Sequence, residues 1–467
     1  MNQFDKLIEF EKKYPSLYDI EINGFPVYTV MRQGLYGINA RKIDSREAKN
    51  INQNKKYISF RRIVDSFIGI HKHRSVKVLI FSSSSYRRDH LHNFGVEYLQ
   101  KMYPDSIAFE WPNHNRKQDL EYKKEKDIIP IDYYLVLSKL YSFVYRKEYN
   151  RLYNDCLNFL EDIFKKKDND FFNWIDYLKK NMCSSYAKTG ISHIIFSKLF
   201  KNYYPNMIID FFGSARENIY PVFMNNPELI ELQHGILTKE HTGYIYPDFV
   251  KKNSCYLFNR KILVYGESSK NILCNYSVFE DFQIEIIGNP RIKMYLNSKY
   301  MKIENKILIL FTSQPFEQDG ICKNYYNTII PYLNEILNIL NKNKFYMKYK
   351  LGIKLHPREG NNIIDLYKKH LGKDVFYYGN DAELYDLLVK SYLHITVNST
   401  CLYEATQFKC PTITIKYGEF KNKETFGEQV IEVSNIEELN QCFNNLETKY
   451  NNYLSELQKI TKEFMGI

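Results

Sequence analysis

Two series of short apolar runs, each run ending in a polar loop and separated from the next by helical stretches, constrain this chain more than any other feature. In the first series residues 76–81 (VKVLIF) pass into Ser82-Ser83-Ser84-Ser85, and runs at 107–111, 207–212, 229–233 and 261–265 follow. The second series is tighter: 306–311 (KILILF), 351–355, 375–378, 393–397 and 412–415. A run that is apolar at every position, rather than at every second one, fits a strand covered on both faces, as in a parallel sheet. Strands alternating with helices predict an α/β fold. Two such series predict two doubly wound, Rossmann-like domains, and the 467 residues are ample for both.

The boundary between the series is expected after Gly288-Asn289-Pro290, in the polar, poorly patterned stretch 291–305. The expected organisation is therefore an N-terminal helical, basic segment (1–75), a first Rossmann-like domain (76–295), a second (296–435) and C-terminal helices (436–467). Asn23-Gly24-Phe25-Pro26 predicts a turn. Helical patterns from about 133 to 200 predict two or three helices behind an extended stretch near 128. In the segment 55–74, Phe60, Ile63, Val64, Phe67 and Ile68 share one helix face, amid Lys55, Lys56, Arg61, Arg62, Lys72 and Arg74. Such a helix can lie on an anionic membrane surface or pack its apolar face on a domain core; the general habit of amphipathic helices favours packing.

Composition narrows the function classes. The opening MNQFDKLIEFEKK is charged throughout, unlike a signal peptide, and no run of 18 apolar residues occurs, so a cytoplasmic protein is expected. The eight cysteines are scattered without a CxxC pair, and the histidines show no HExxH, so no metal site and no cofactor are expected. A formal charge of +11 suits anionic partners such as nucleotides, phosphates or lipid headgroups. The charge is dispersed and no nucleic-acid module is recognisable, so nucleic acid is not among the expected partners.

The candidate chemistry lies where strands end, because in open parallel sheets ligands bind at the carboxyl ends of strands. Lys354-Leu355-His356-Pro357 ends one strand: Pro357 stops the ladder, and His356 can hydrogen-bond a phosphate or protonate a leaving oxygen, or be satisfied within its loop. Asn398-Ser399-Thr400 joins a strand to a helix, so Ser399 and Thr400 can cap the helix or hold a phosphate. Glu404, four residues on, shares their side of the helix and can take ribose hydroxyls. Thr312-Ser313-Gln314 ends the first strand of the second series and can line a nucleotide pocket. In the first domain, Gln233-His234-Gly235 places His234 as a candidate general base at a turn that glycine permits. Asp210 is a candidate carboxylate, though a turn or capping role is favoured for it. The loop SSSSYRRDH offers Arg87 and Arg88 to an anionic acceptor, with Asp89 to orient one of them, or is simply solvated.

With these motifs in order, the chain resembles GT-B glycosyltransferases of bacterial capsule and lipopolysaccharide assembly. It is similar to the wider group that includes Kdo transferases, bacterial sialyltransferases and teichoic-acid polymerases. His356-Pro357 and Ser399-Thr400 match the HP and Ser/Thr motifs that bind the donor nucleotide's phosphates there. His234-Gly235 looks like the His-Gly turn of the polymerases, whose His is the proposed base. The stretch 262–290, with VYGESSKNIL and IIGNP, looks like the segment closing the N-terminal domain in such enzymes. The resemblance spans roughly residues 76–420. It implies a GT-B architecture with two Rossmann-like domains facing a central cleft. Lys354, His356, Ser399, Thr400, Glu404 and the 312–314 turn would then hold a nucleotide sugar, the substrate. His234 and His356 would be catalytic, and Arg87, Arg88, Asp89 and Asp210 would receive a lipid-linked or oligosaccharide acceptor.

The expected function is a metal-independent glycosyltransferase that extends a lipid-linked surface polysaccharide, capsule or O-antigen, in the cytoplasm or peripherally on the inner face of the membrane. No acidic motif of the sialyltransferase kind is present, nor the long N-terminal extension of the polymerases. Transfer of a polyol phosphate from a CDP-activated donor therefore ranks second. A sugar-nucleotide epimerase is a further enzymatic alternative, and a non-catalytic scaffold of a polysaccharide assembly complex is the alternative of a different class.

Overall fold

The computed structural model describes residues 3–40, 60–72, 75–83, 93–111, 128–166, 168–211, 222–223, 225–233, 235, 237–252, 261–298, 305–318, 322–418, 428 and 430–466. They fall into two compact units. The first takes its described residues from 3–40, 60–264 and 269–290, the second from 265–268 and 291–466.

The first unit opens with α1 (Gln3–Lys13), the hairpin β1 (Glu21–Ile22) and β2 (Phe25–Pro26), and α2 (Tyr28–Ala40). The predicted turn is there: Asn23 and Gly24 both have positive φ, 51° and 77°, the primed turn that suits a two-residue hairpin loop. After α3 (Phe60–Lys72) come β3 (Val78–Ser83), α4 (Phe94–Met102), β4 (Ser106–Trp111) and β5 (Ile128–Pro130). Asn93 caps α4, accepting from the Val96 amide. The helical stretch resolves into three helices, α5 (Asp132–Val144), α6 (Arg146–Ile163) and α7 (Phe172–Leu199). Then follow β6 (Met207–Phe211), β7 (Glu228–Leu232), β8 (Lys261–Val264), α8 (Glu267–Tyr276) and β9 (Ile284–Ile286). The seven strands from β3 onward form one all-parallel sheet in the order β5-β4-β3-β6-β7-β8-β9.

Residues 3–40 are knitted into this unit. Leu7 and Phe10 of α1, Tyr28 and Leu35 of α2, Cys156 and Leu160 of α6 and Trp174 and Leu178 of α7 share one core. Inside it Arg32 meets both oxygens of Glu11, at 2.5 and 3.0 Å, so the buried charge is paired rather than stranded.

The helix α3 reverses the packing expected of it. Its apolar residues Phe60, Val64, Phe67 and Ile68 are exposed, while Arg62, Ser66, Gly69 and Ile70 are buried. The buried side is held by polar bonds and close approach. Arg62 Nε donates to Asp132 at 3.0 Å, Arg62 Nη1 to Glu110 at 3.4 Å, and the Tyr133 amide to Ser66 Oγ at 3.1 Å. A Cβ on Gly69 would come within 2.6 Å of Ile129 Cγ2, so only glycine lets the helix lie this close to β5. Periodicity shows that a stripe exists; the partners of the opposite face decide which side turns inward.

The second unit holds α9 (Pro290–Leu296), β10 (Leu308–Thr312), α10 (Tyr325–Lys342), β11 (Lys350–Lys354), α11 (Asn362–Leu371), β12 (Phe376–Tyr378), α12 (Leu384–Val389), β13 (Ser391–Thr396), α13 (Cys401–Gln407), β14 (Thr412–Ile415), β15 (Ile431–Val433) and α14 (Ile436–Met465). Its sheet is also all-parallel, in the order β12-β11-β10-β13-β14-β15. Leu308 to Phe311 of β10 are covered on both faces, each such side chain contributing about 1.5–3 kcal/mol. The α/β class with two Rossmann-like sheets is therefore as the sequence predicts. The three-residue strand β15 carries too little pattern to have been read.

Candidate functional site

In each sheet the first strand lies inside. The chain winds outward on one side, then returns to wind outward on the other. The reversal falls between β3 and β6 in the first unit and between β10 and β13 in the second. At such a reversal the loops leave in opposite directions and open a crevice beyond the strand ends.

The second unit sets its sequence motifs around that point. Thr312-Ser313-Gln314 ends β10, Lys354-Leu355-His356-Pro357 ends β11, and Asn398-Ser399-Thr400 links β13 to α13. Because β11 and β13 flank β10, the His and Ser/Thr motifs stand two strand spacings apart, about 10 Å, on one edge of one sheet. Lys354 ties the two sides together: its amine interacts electrostatically with Cys401 at the start of α13, and with Glu383, Asp381 and Glu359. Burial pushes its pKa down while those groups oppose the shift. Its Nζ donates to the Leu355 carbonyl at 2.9 Å.

His356 sits at the first position of a tight turn. The Glu359 amide donates to its carbonyl at 2.9 Å, with Pro357 preset for the second position. Its Nδ1 accepts from the Arg358 amide at 3.1 Å. Burial, then the charges of Arg358 and Lys354, push the imidazole down to about 4. A neutral ring whose Nδ1 accepts carries its proton on Nε2, so His356 presents an N–H donor, suited to a phosphate oxygen.

Glu359 is the residue that sequence reasoning missed. Its carboxylate is 1% exposed and accepts three hydrogen bonds, from Ser313 Oγ at 2.8 Å, Tyr326 OH at 2.8 Å and the His356 amide at 2.6 Å. Burial raises its pKa, opposed by those donors. Its one local signal is an acid three residues beyond the motif, returning to the motif's own amide as in a capping box.

Ser399 Oγ accepts from the Cys401 amide at 3.3 Å, so it caps the helix; Thr400 makes no such side-chain cap bond. The helix α13 spans only seven residues, which shifts the weight from its dipole to nearby side chains. Glu404, one turn in, accepts from Tyr385 OH at 3.3 Å. Burial pushes its carboxyl up, against the pull of Arg291 and that hydroxyl, with Glu383 adding to the rise. Arg291 itself lies 5.5 Å from the centre of the Tyr385 ring. Thr312 and Ser313, read from sequence as pocket lining, are buried and engaged: Thr312 Oγ1 lies 2.9 Å from His394 Nε2, and Ser313 Oγ bonds Glu359 and contacts Tyr367 OH at 3.0 Å. Gln314 is also buried, its amide donating to Tyr325 OH. This turn thus braces the site from beneath.

In the first unit the candidates are reached in part. Asp210 is buried near the end of β6, in register with the equally buried Glu231 of β7. Tyr244 OH donates to Glu231 at 2.6 Å. Gln233 Nε2 donates to the Gly235 carbonyl at 2.6 Å and to Ser269 Oγ at 2.9 Å. A Cβ on Gly235 would meet no described atom within 4 Å. His234, Arg87, Arg88 and Asp89 lie outside the described residues.

No family model matches the chain. No curated protein matches it either. Among solved structures, the chain is similar to UDP-GlcNAc 2-epimerase from Neisseria meningitidis bound to UDP-GlcNAc, with 13% identity, coverage of 84% of this chain and 95% of that one, and a TM-score of 0.49. It is similar to the wall teichoic acid polymerase TagF, at 12% identity, 90% and 92% coverage and a TM-score of 0.49. A glycosyltransferase from Rickettsia africae follows at 13% identity, 83% and 94% coverage and a TM-score of 0.44. None of these scores reaches 0.5, so the fold rests on the topology of the two sheets themselves, and no residue takes a role from these proteins.

Proposed function

We propose that the chain is a GT-B-type glycosyltransferase that moves a sugar from a nucleotide-activated donor onto a growing lipid-linked surface polysaccharide. The observation that carries this reading is the placement of Lys354 and His356 at the end of β11, and of Ser399 and Thr400 beyond the end of β13, the two strands on either side of β10. In this reading the donor's phosphates lie over that point. His356 Nε2–H donates to a phosphate oxygen, and Lys354 offsets the charge that builds as the nucleotide leaves, a contribution fixed in place before reaction. The Thr400 hydroxyl adds a donor. Glu404, steadied by Tyr385 and Arg291, accepts ribose hydroxyls. These groups supply the stabilisation without a metal. His234 takes the proton of the attacking acceptor hydroxyl, and Arg87, Arg88 and Asp89 grip the acceptor.

The test is a thermal-shift screen with CMP, CDP, UDP, GDP and dTDP. The matching nucleotide, at a hundred times its dissociation constant, stabilises by about 2.7 kcal/mol. His356→Ala loses most of that stabilisation, whereas His234→Ala keeps it and abolishes transfer. If no nucleotide shifts the melting curve, or if His356→Ala binds as tightly as the parent, the proposal falls. Phosphate content of the polymer made by purified protein separates sugar transfer from polyol-phosphate transfer. Turnover of the nucleotide sugar with no acceptor present would point to an epimerase instead.

A further inference from the structure

The helices α3 and α5 turn matching apolar stripes to solvent. On α3 the exposed residues are Phe60, Val64, Phe67 and Ile68; on α5 they are Val136, Leu140, Phe143 and Val144. Both sets follow the same spacing, i, i+4, i+7 and i+8, so each forms one narrow face. Phe60 is 79% and Phe143 80% exposed. The two helices pack side by side, with the Phe67 and Tyr133 rings 5.2 Å apart. The stripes therefore belong to one patch, of the kind that marks an interaction site.

The charges around the patch say what covers it. The exposed charged side chains on α3, on α5 and at the start of α6 are all basic: Arg61, Lys72, Lys139, Arg146 and Lys147. Lys198 of α7 joins them, its Nζ 5.0 and 5.1 Å from the Tyr141 and Tyr145 ring centres. The acids of these helices are turned away or engaged. Asp132 is buried against Arg62, Asp65 is half-buried, and Glu148 is paired with Arg151 at 2.6 Å. Among the described residues of these helices the apolar stripe is rimmed by exposed cations, which fits a layer that is apolar inside and anionic at its surface. A second copy of the chain is a poor fit, because a two-fold contact would set these cations against themselves. No helix among the described residues is long and apolar enough to cross a membrane, so the contact is one of lying on the surface.

We infer that the α3–α5 face docks the protein onto an anionic lipid bilayer, with Phe60, Phe67, Leu140 and Phe143 entering the acyl boundary and the basic rim meeting lipid phosphates. This contact stands on the first unit alone and does not depend on a nucleotide in the second. The test is co-sedimentation of the full chain with vesicles of phosphatidylcholine, with and without phosphatidylglycerol. Binding is expected to the anionic vesicles, weakening as salt rises. Phe60→Ser with Phe143→Ser abolishes it, and Arg146→Glu with Lys147→Glu weakens it by about tenfold or more. Each variant's melting temperature is checked against the parent. Because a serine pair could disturb folding, a Phe143→Cys protein carrying an environment-sensitive dye is the second readout, expected to shift blue on anionic vesicles only. Three results would overturn the inference: a parent that stays in the supernatant, folded variants that sediment as well as the parent, or a dimer in light scattering that the serine pair dissolves. Retained nucleotide stabilisation in the serine variant would show that the two sites fail or succeed separately.

Discussion

At the scale of single residues, the site depends on how His356 is held. Glu359 fixes the His356 amide while taking donors from Ser313 and Tyr326, which lie 46 and 33 positions away in the chain. Replacing Glu359 with Ala strands three buried donors, so we expect a loss of about 1–3 kcal/mol in stability. The nucleotide-induced thermal shift should also shrink, since the imidazole loses its frame; an unchanged shift would remove Glu359 from the site. His394 makes a different prediction. It lies wholly buried between Thr312 Oγ1 and Thr412 Oγ1, each 2.9 Å away, and burial lowers its pKa from 6.5 to about 3. The unfolded chain then binds a proton in that window and the folded one does not. The contribution is complete above pH 6.5 and is lost as pH falls toward 3, at about 1.4 kcal/mol per pH unit. Urea titrations from pH 7 downward should show this slope reduced in His394→Gln relative to the parent.

At the scale of elements, two contacts depend on residues that a pattern search passes over. The Arg62 guanidinium joins α3 to Asp132, at the start of α5, and to Glu110 of β4. Arg62→Ala would leave two buried carboxylates without their cation, and we expect a cost of about 3–5 kcal/mol by chemical denaturation. A loss under 1 kcal/mol would mean that the buried side of α3 is held some other way. In the second unit, a Cβ at Gly266 would run into the backbone carbonyl of Glu463 near the end of α14. Backbone cannot give way as a side-chain tip can, so Gly266→Ala should cost about 1–3 kcal/mol, seen as a lower melting temperature. The VYGESS segment drew notice in the sequence for its likeness to a domain-closing stretch; the physical demand on its glycine is this close approach.

At the scale of the whole molecule, the two units carry different expected tasks. Hydrogen exchange of the full chain with saturating nucleotide should slow amides at 312–314, 354–359 and 398–404, with no change across α3 and α5. Protection confined to α3 and α5 would instead detach the nucleotide from the second sheet. The sequence by itself determined the two parallel sheets, because a strand buried on both faces must be apolar at every position, and such runs are visible without any partner. It likewise marked where His356, Ser399 and Thr400 stand, since a polar motif right after such a run lies at a strand's carboxyl end. Only the tertiary structure decided what surrounds them. Glu359, Arg62 and the outward turn of α3 depend on bonds between residues tens of positions apart, and local periodicity carries no record of which distant partner a buried polar group will meet.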